Sequence, residues 1–351
     1  MKIFAINPGA TSTKIGLYED DKKIFTHSVE HYMDQLEKFS RTIDQLDMRV
    51  ELIEKYLEEQ NIDVDEIDVF VARGGPFKPM KSGTYKISGK MIEDVLEDNV
   101  LTDHISNIAC LIADKLSSGK PAYIVDPVSV DEFDDISRIS GLKLIERRSL
   151  SHALNMKMVA KKWAAASQRI YDECNLIVAH LGSGISVSAH RKGRMVDVNN
   201  ANEEGPFSPQ RAADLPTGQL TKLCFSGKYS PDEMKTLLLK KGGMYSYLGT
   251  DSVPEAFERM KNGDKEAELI LSAMMYQVSK YIGSMAAVLK GIVDRIIITG
   301  GIAYNPELTD IIEEHTRFIA PITVYPGEDE IEALVMGVLR VINNPEEVKE
   351  Y

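Results

Sequence analysis

Two glycine-containing turns carry the residue types that bind phosphate groups. The first turn offers backbone amides, hydroxyl groups and an ammonium group, supplied by Asn7, Gly9, Thr11, Ser12 and Lys14. The second turn offers amides and hydroxyl groups, supplied by Gly182, Ser183, Gly184 and Ser186. Glycine lets the backbone approach an anion closely, and successive N–H groups in a turn form an anion-binding concavity. Either turn alone is more typical of an ordinary hairpin, whereas two facing turns would grip one polyphosphate.

A third glycine pair follows an apolar strand. Gly300 and Gly301 come directly after this strand, and a helix is expected to begin near Pro306. The free N–H groups at a helix N-terminus favour an anion. This placement suits a nucleoside or its α-phosphate.

Arginine and histidine side chains supply candidates for the chemical step. Arg73, Arg211 and Arg148 are candidate clamps for a carboxylate or a transferring phosphoryl group, because a planar guanidinium matches either anion. A surface ion pair is the alternative, and for Arg148 it is at least as well supported. His180 and His104 would donate hydrogen bonds to the transferred group, with a structural role as the alternative for each.

Two positions offer the oxygen ligands that Mg²⁺ prefers. Asp126 lies at a strand end, and Glu332 or Glu330 lies at the start of the last expected helix. Protein-bound Mg²⁺ usually takes one or two carboxylates together with waters and phosphate. We therefore expect a magnesium site at Asp126 and Glu332, with Glu330 as the open alternative.

Strand and helix patterns alternate along the chain, which predicts an α/β protein. Residues 2–6 and 14–18 flank the first turn and indicate a hairpin, and residues 40–60 carry a helical apolar stripe. A second long helix is expected over residues 265–290 and would end at Gly291. Small residues around Gly283 would let another element approach this helix closely.

Four apolar strands each end at a residue that can do chemistry. The strands cover residues 69–72, 123–125, 176–179 and 296–298. The residues that follow them are Arg73, Asp126, His180 and Thr299. Open α/β sheets bind ligands at such strand ends. One such residue is typical of an ordinary strand end, but four together favour a ligand site.

A weak internal repeat relates the two halves of the chain. Residues 2–24 and 175–197 share an apolar strand, a polar residue, a glycine two positions later and a returning strand. This similarity predicts a duplicated fold with a cleft between its halves. The boundary is expected within the helical segment 150–174.

Composition excludes several classes of partner. The chain has 41 Lys and Arg residues against 54 Asp and Glu residues, a net charge of −13. This acidic balance argues against nucleic acid and anionic membranes, which require clustered positive charge. The sequence contains no apolar run of about 18 residues and no targeting segment, and its three cysteines form no CxxC pair. A cytoplasmic protein without a membrane segment is expected.

Longer segments resemble the acetokinase family. They read, in chain order, INPGATSTK, VARGGPF, HLGSGISVSAHRKGRMVDVNNANEEGPFSPQRAADLP, TGGIAYN and YPGEDEIEALVMGVLRV. The VDVNNA and GPFSP segments resemble the butyrate branch of that family rather than its acetate branch. The resemblance implies a two-domain, actin-like ATPase fold of the ribonuclease H-like type, with duplicated βββαβαβα topology and a central cleft. The domains would be residues 1–160, completed by the helix 330–351, and a nucleotide-binding domain of residues 161–329.

The resemblance also implies an activity. The γ-phosphoryl group of ATP would pass to butyrate with Mg²⁺ as cofactor, giving butyryl phosphate and ADP in a reversible reaction. Another short or branched acid, such as acetate, propionate or isobutyrate, is the alternative acceptor. A non-catalytic actin-like nucleotide switch is the alternative outside enzymes. Short-chain carboxylates, acyl phosphates and further copies of the chain in a homo-oligomer are the implied partners.

Site roles follow the resemblance position by position. The implied catalytic residues are Arg73, Asp126, His180 and Arg211. The first hairpin and the second glycine turn would hold phosphates, adenosine would bind at Gly300, Gly301 and Asn305, and the metal at Asp126 and Glu332. The chain departs from the family pattern at Ala10, where serine is usual, at Ser183, where acetate kinases have asparagine, and at Arg148, near an active-site histidine of those enzymes.

Overall fold

The structure, a computed structural model, describes residues 1–343 and 346–351. Strands and helices alternate, which confirms the α/β prediction. The strands are β1 (Lys2–Pro8), β2 (Ser12–Glu19), β3 (Lys22–Glu30), β4 (Val69–Arg73), β5 (Thr84–Lys86), β6 (Ala122–Val125), β7 (Asn175–Leu181), β8 (Ile185–Arg191), β9 (Arg194–Val198), β10 (Arg295–Gly300) and β11 (Ile322–Pro326). The helices are α1 (Met33–Leu36), α2 (Leu46–Glu59), α3 (Gly89–Leu96), α4 (Ala109–Ser117), α5 (Ala153–Ala166), α6 (Thr217–Cys224), α7 (Pro231–Leu239), α8 (Gly243–Leu248), α9 (Val253–Lys261), α10 (Lys265–Val288), α11 (Pro306–Thr316) and α12 (Glu330–Ile342).

The chain forms two compact units. Unit 1 comprises Met1–Asp131, Ala153–Asn155 and Asp329–Tyr351, and unit 2 comprises Glu132–His152 and Met156–Glu328. Residues 132–152, which the resemblance placed in the first domain, lie in unit 2. They are held there by strand β9, since the Asp134 N–H donates to the Val196 carbonyl at 3.1 Å and Arg147 Nη2 donates to the Val198 carbonyl at 3.1 Å.

Unit 1 is built on a sheet of strand order β3-β2-β1-β4-β6-β5. Strands β1, β2 and β3 form an antiparallel meander, and β4 and β6 run parallel to β1. Successive side chains of a strand face opposite sides of a sheet. Ile124 accordingly packs in the apolar core with helix α4, whereas a Cβ atom at Gly337 of α12 would lie 2.4 Å from Val125. Helices α4 and α12 thus cover opposite faces.

Unit 2 repeats this topology with the order β11-β10-β7-β8-β9. Strands β7, β8 and β9 form the meander, β10 and β11 run parallel to β7, and α10 packs against the sheet. In both units the third, second, first and fourth strands are neighbours in that order. The predicted duplication of the topology is confirmed.

The predicted elements are present with adjusted ends. The first hairpin forms as expected, and residues 40–60 contain a 3₁₀ turn, Thr42–Gln45, followed by α2. Helix α10 ends before Gly291, which has φ +74°. No element packs closely on Gly283 itself, because a Cβ atom there would have no neighbour within 4 Å among the described residues, whereas nearby Ala286 is buried in an apolar core. None of the helices in the described ranges is long and apolar enough to cross a membrane.

Candidate active site

The first phosphate hairpin is formed by strands β1 and β2. Asn7 pairs with Lys14 across it, and the Gly9 N–H donates to the Ser12 carbonyl at 2.7 Å. Thr11 lies in the connecting turn. Asn7 is buried, whereas the Lys14 side chain is exposed. The structure therefore brings the predicted residues of this turn together.

The carboxyl ends of three parallel strands meet at one edge of the unit 1 sheet. Arg73, the last residue of β4, pairs with Val125 of β6, and Asp126 follows directly. Strand β1, which carries Asn7 near its end, lies on the other side of β4. Because neighbouring parallel strands end at the same edge, Asn7, Arg73 and Asp126 share this edge. The strand-end pattern named Arg73 and Asp126, whereas its other two residues, His180 and Thr299, lie in unit 2.

Glu330 joins two of these residues. Its Oε2 accepts hydrogen bonds from Asn7 Nδ2 at 2.5 Å and from Arg73 Nη1 at 3.1 Å. Both members of the ion pair are largely buried, with 22% of the Arg73 and 13% of the Glu330 side chain exposed. Glu332 lies instead near Tyr18, whose pKa is raised to about 12 by burial and, to a smaller extent, by carboxylates that include Glu332. Of the two glutamates left open by sequence, Glu330 is the one that faces the other candidates.

Asp126 is held in a fixed orientation. Its side chain is buried, and its Oδ1 accepts hydrogen bonds from Ser82 Oγ at 2.6 Å and from the Gly83 N–H at 2.7 Å. Its φ of +38° lies in the left-handed region, which aspartate tolerates better than most residues. The strand therefore turns sharply at this carboxylate.

The oxygen ligands of this edge fit Mg²⁺ better than a transition metal. The described residues contain no group of three or more His, Cys, Asp or Glu side chains that could hold a metal ion. Mg²⁺ does not require such a cage, since it keeps waters and binds substrate phosphates through one or two carboxylates. Asp126 and Glu330 offer such carboxylates.

His180 lies near the end of β7 with a buried imidazole. Its Nε2 is 3.2 Å from Glu328 Oε2, and its ring stacks on His152 with ring centroids 4.0 Å apart. His152 Nδ1 in turn lies 2.9 Å from Ser186 Oγ. A Cβ atom at Gly182 would lie 3.0 Å from His180 Nε2, so the second glycine turn passes directly over this ring.

The second glycine turn packs against Arg211. A Cβ atom at Gly184 would lie 2.2 Å from Arg211 Nη1, which explains the need for glycine there. Arg211 Nη1 donates to the Ala201 carbonyl at 3.0 Å. The Ser208 hydroxyl accepts from the Arg211 N–H at 3.1 Å and donates to the Ser183 carbonyl at 2.6 Å. Burial lowers the pKa of Arg211. The guanidinium is thus preorganised beside the turn.

A pocket of 620 Å³ opens beside the same turn within unit 2. Its walls include Gly182, Ser183, Gly301 and Asn305, and α9 contributes apolar surface through residues such as Phe257. The Asn305 side chain caps α11 by accepting from the Leu308 N–H at 3.3 Å. Gly300 has φ +92°, and a Cβ atom there would lie 2.4 Å from the Leu181 carbonyl oxygen. The volume and the mixed lining suit a nucleoside.

Two candidates lie away from these groups. Arg148 is exposed, while the neighbouring Arg147 pairs with Asp197 and Glu204, each at 3.0 Å. His104 caps a 3₁₀ turn, with its Nδ1 2.6 Å from Ser106 Oγ. The cap at His104 is consistent with the structural role that was its alternative, whereas the ion pairs form at Arg147 and the role of Arg148 stays a prediction.

Sequence reasoning missed several residues of the site. Ser208, Glu328 and His152 contact predicted residues, and helix α9 lines the nucleoside pocket. Ser208 lies inside the GPFSP segment, so the resemblance offered a signal for it. Glu328 likewise lies inside the quoted YPGEDE segment, whereas His152 lies in none of the quoted segments and no motif pointed to it.

Fold and site together define an actin-like ATPase fold with the features of a phosphate-transferring enzyme. A model described as the acetokinase family matches residues 141–332. Butyrate kinase 2 of Clostridium acetobutylicum is 48% identical over 353 residues, which cover 100% of this chain and 99% of that protein. A probable butyrate kinase 2 of Caldanaerobacter subterraneus is 48% identical over 352 residues, covering 100% and 99%. The chain belongs to the acetokinase family.

Solved structures agree on the fold. The crystal structure of Porphyromonas gingivalis acetate kinase has a TM-score of 0.81 at 21% identity, covering 98% of this chain and 100% of that one. A propionate kinase from Francisella tularensis has a TM-score of 0.75 at 16% identity, covering 95% and 98%. At these identities the likeness concerns the fold alone, and it confirms the predicted architecture.

Proposed function

We propose that the chain catalyses the reversible transfer of the γ-phosphoryl group of ATP to butyrate, giving butyryl phosphate and ADP. The observation that carries this proposal is the full-length similarity, at 45–48% identity, to proteins named as butyrate kinases or probable butyrate kinases. The geometry supports it, since both units present glycine turns with nearby arginine side chains. A cleft in which the two turns face one triphosphate is part of the proposal.

The chemistry requires positioning and charge more than proton transfer. Butyrate, like Asp and Glu side chains, has a pKa of about 4 to 5 and is ionised at neutral pH, so it needs no general base. Its carboxylate oxygen attacks the γ-phosphorus while the bond to the ADP oxygen breaks in line. Arg73, Arg211 and His180 stabilise the charge on the equatorial phosphoryl oxygens.

The remaining residues bind the nucleotide. The first hairpin and the second glycine turn hold the phosphates, and Gly300, Gly301 and Asn305 with the 620 Å³ pocket hold the nucleoside. Asp126 and Glu330 would hold Mg²⁺, with Glu330 replacing the predicted Glu332. When bound, Mg²⁺ supplies further neutralisation of phosphate charge.

Acyl-phosphate formation tests the proposal. The protein is supplied with ATP, Mg²⁺ and one acid from a panel, and the product is trapped with hydroxylamine. Two extra methylene groups, each worth about 0.8 kcal/mol on burial, favour butyrate over acetate by about tenfold in kcat/KM. A higher kcat/KM for propionate or isobutyrate would assign the alternative acid. Nucleotide binding without acid-dependent ADP release would support the non-catalytic switch.

The oligomeric state and the cellular location of the protein are also proposals. A homo-oligomer and a cytoplasmic location follow from the family resemblance and the sequence composition. Size-exclusion chromatography with light scattering measures the mass of the assembly. A mass equal to that of a single chain would contradict the proposed homo-oligomer.

A further inference from the structure

A buried arginine lies behind the first phosphate hairpin. Arg49 of helix α2 has no exposed surface. Its Nη1 donates to Thr13 Oγ1 at 3.0 Å and to the Ser12 carbonyl at 3.4 Å, and its Nη2 donates to the Ala10 carbonyl at 3.2 Å. Gln45 Oε1 accepts from Nε at 3.1 Å and from Nη2 at 2.9 Å. All these acceptors are neutral, and three of them belong to the hairpin.

This guanidinium carries a charge without a carboxylate partner in the described ranges 1–343 and 346–351. Its contacts there are the neutral groups named above. Burial lowers the pKa of Arg49 to about 10, so the group remains charged at neutral pH. The adjacent His31 adds no second positive charge at neutral pH, since burial and the Arg49 charge lower its pKa to about 4. A buried charge is costly unless an opposite charge balances it, so the missing anion is expected from a ligand.

The same contacts set the direction of the hairpin amides. The Ala10 carbonyl points to Arg49, and the Thr11 carbonyl accepts from the His31 N–H at 2.8 Å. A trans peptide group directs its N–H opposite to its carbonyl. The N–H groups of Thr11 and Ser12 therefore point away from the buried network, which is the orientation an anion-binding turn requires.

We propose that Arg49 is a positioning residue for the phosphates of ATP, acting through the hairpin from behind. It holds the carbonyls of Ala10 and Ser12 inward, and its uncompensated charge attracts the β- and γ-phosphates bound in front. This inference rests on the proposed binding of ATP at the hairpin. The nucleoside pocket of unit 2 contains no part of this network.

Calorimetric titration of ATP, ADP and AMP tests the inference on the full chain. Arg49→Gln removes the charge and keeps a polar side chain of moderate size. We expect its affinity for ATP to fall on the order of tenfold or more, because a charge inside a protein is weakly screened, while AMP affinity stays unchanged. In turnover, KM for ATP rises and KM for butyrate does not. Arg49→Lys, which keeps the charge, restores part of the ATP affinity.

Gln45→Glu neutralises the charge without removing Arg49. The new carboxylate would pair with the guanidinium, so we expect the free energy of unfolding to hold or rise while ATP affinity falls and AMP affinity does not. A purely structural role for Arg49 predicts equal or better binding of ATP by this variant. The control is Arg41→Gln, since Arg41 precedes the 3₁₀ turn Thr42–Gln45 that leads into α2, is exposed and pairs with Asp44.

The outcomes separate this inference from the proposed function. If wild type binds ATP more tightly than AMP but fails to make acyl phosphate, the proposed reaction is wrong. The ATP and AMP affinities of the variants still measure the role of Arg49 in that case. If Gln45→Glu and Arg49→Gln bind ATP and AMP in the wild-type ratio, the inference is overturned. It is also overturned if wild type shows no preference for ATP over AMP.

Discussion

At the scale of single residues, contacts rather than residue types separate functional side chains from their neighbours. Glu330 and Glu332 both lie in the first turn of α12, and either could serve a metal by type. Successive helical residues are rotated by about 100° around the helix axis, so the side chains of residues two positions apart point to nearly opposite sides. Only Glu330 therefore contacts Asn7 and Arg73, while Glu332 lies near Tyr18.

The two glutamates form a matched pair of variants. We expect Glu330→Gln to lower kcat on the order of 100-fold and to raise the Mg²⁺ concentration needed for half-maximal rate, because it removes a charge from the carboxylate proposed to hold Mg²⁺. Glu332→Gln should keep near-wild-type values in the same rate measurements. Equal losses in both variants would contradict the assignment of Glu330.

Gly184 offers a second test at this scale. Its missing side chain makes room for Arg211, since a Cβ atom at this position would lie 2.2 Å from Nη1. Gly184→Ala should displace the guanidinium and lower kcat on the order of 100-fold, with little change in the melting temperature. Gly283→Ala, at a helical glycine with open space, is the control. An active Gly184→Ala enzyme would argue against a catalytic Arg211.

At the scale of elements, helix α12 sets the position of the acidic residues. A Cβ atom at Gly16 of β2 would lie 2.5 Å from the Ile331 side chain of this helix. A Cβ atom at Gly337 of the helix would lie 2.4 Å from the Val125 side chain of β6. These two close contacts fix the helix on the sheet of unit 1. They hold Glu330 at the edge where β1, β4 and β6 end.

The packing of β2 and β3 against α2 predicts a dependence of stability on pH. Buried His31 has a pKa of about 4 in the folded protein, below its ordinary 6.5, since burial and Arg49 disfavour its charged form. As the pH falls, the His31 side chain therefore takes up a proton in the unfolded chain before it does so in the folded protein. The stability that neutral His31 contributes is fully present above pH 6.5 and is lost as the pH falls toward 4. Urea unfolding of wild type and His31→Gln measures it.

The variant lacks this titration. Between pH 6.5 and 4 we expect the free energy of unfolding to fall less steeply with decreasing pH in His31→Gln than in wild type. The difference in slope corresponds to the uptake of at most one proton on unfolding. Parallel profiles for the two proteins would show that His31 is not held neutral.

At the scale of the whole molecule, chain order and spatial order differ. Strand β11 lies in unit 2, and the next element, α12, completes unit 1. The short segment between them supplies Glu328 to His180 in unit 2, and Glu330, the first residue of α12, pairs with Arg73 in unit 1. Helix α12 thus belongs to the first unit although it follows the last strand of the second.

Truncation after Glu328 tests this division. Without α12, the apolar face of the unit 1 sheet is exposed, so we expect unit 1 to lose its cooperative unfolding and the protein to lose ATP turnover. The nucleoside pocket lies wholly in unit 2, so calorimetry should still detect AMP binding. Retained turnover in the truncated chain would contradict the assignment of α12 to unit 1.

Sequence by itself determined the α/β class, the duplicated hairpins and the glycine turns, because apolar periodicity and turn chemistry depend on neighbouring residues. The resemblance to a family added the reaction and most of the candidate residues. The tertiary structure alone placed Glu330 rather than Glu332 against Asn7 and Arg73, put Arg49 behind the hairpin with no carboxylate partner among the described residues, and stacked His152 on His180. These features depend on contacts between residues far apart in the chain, which no local pattern encodes.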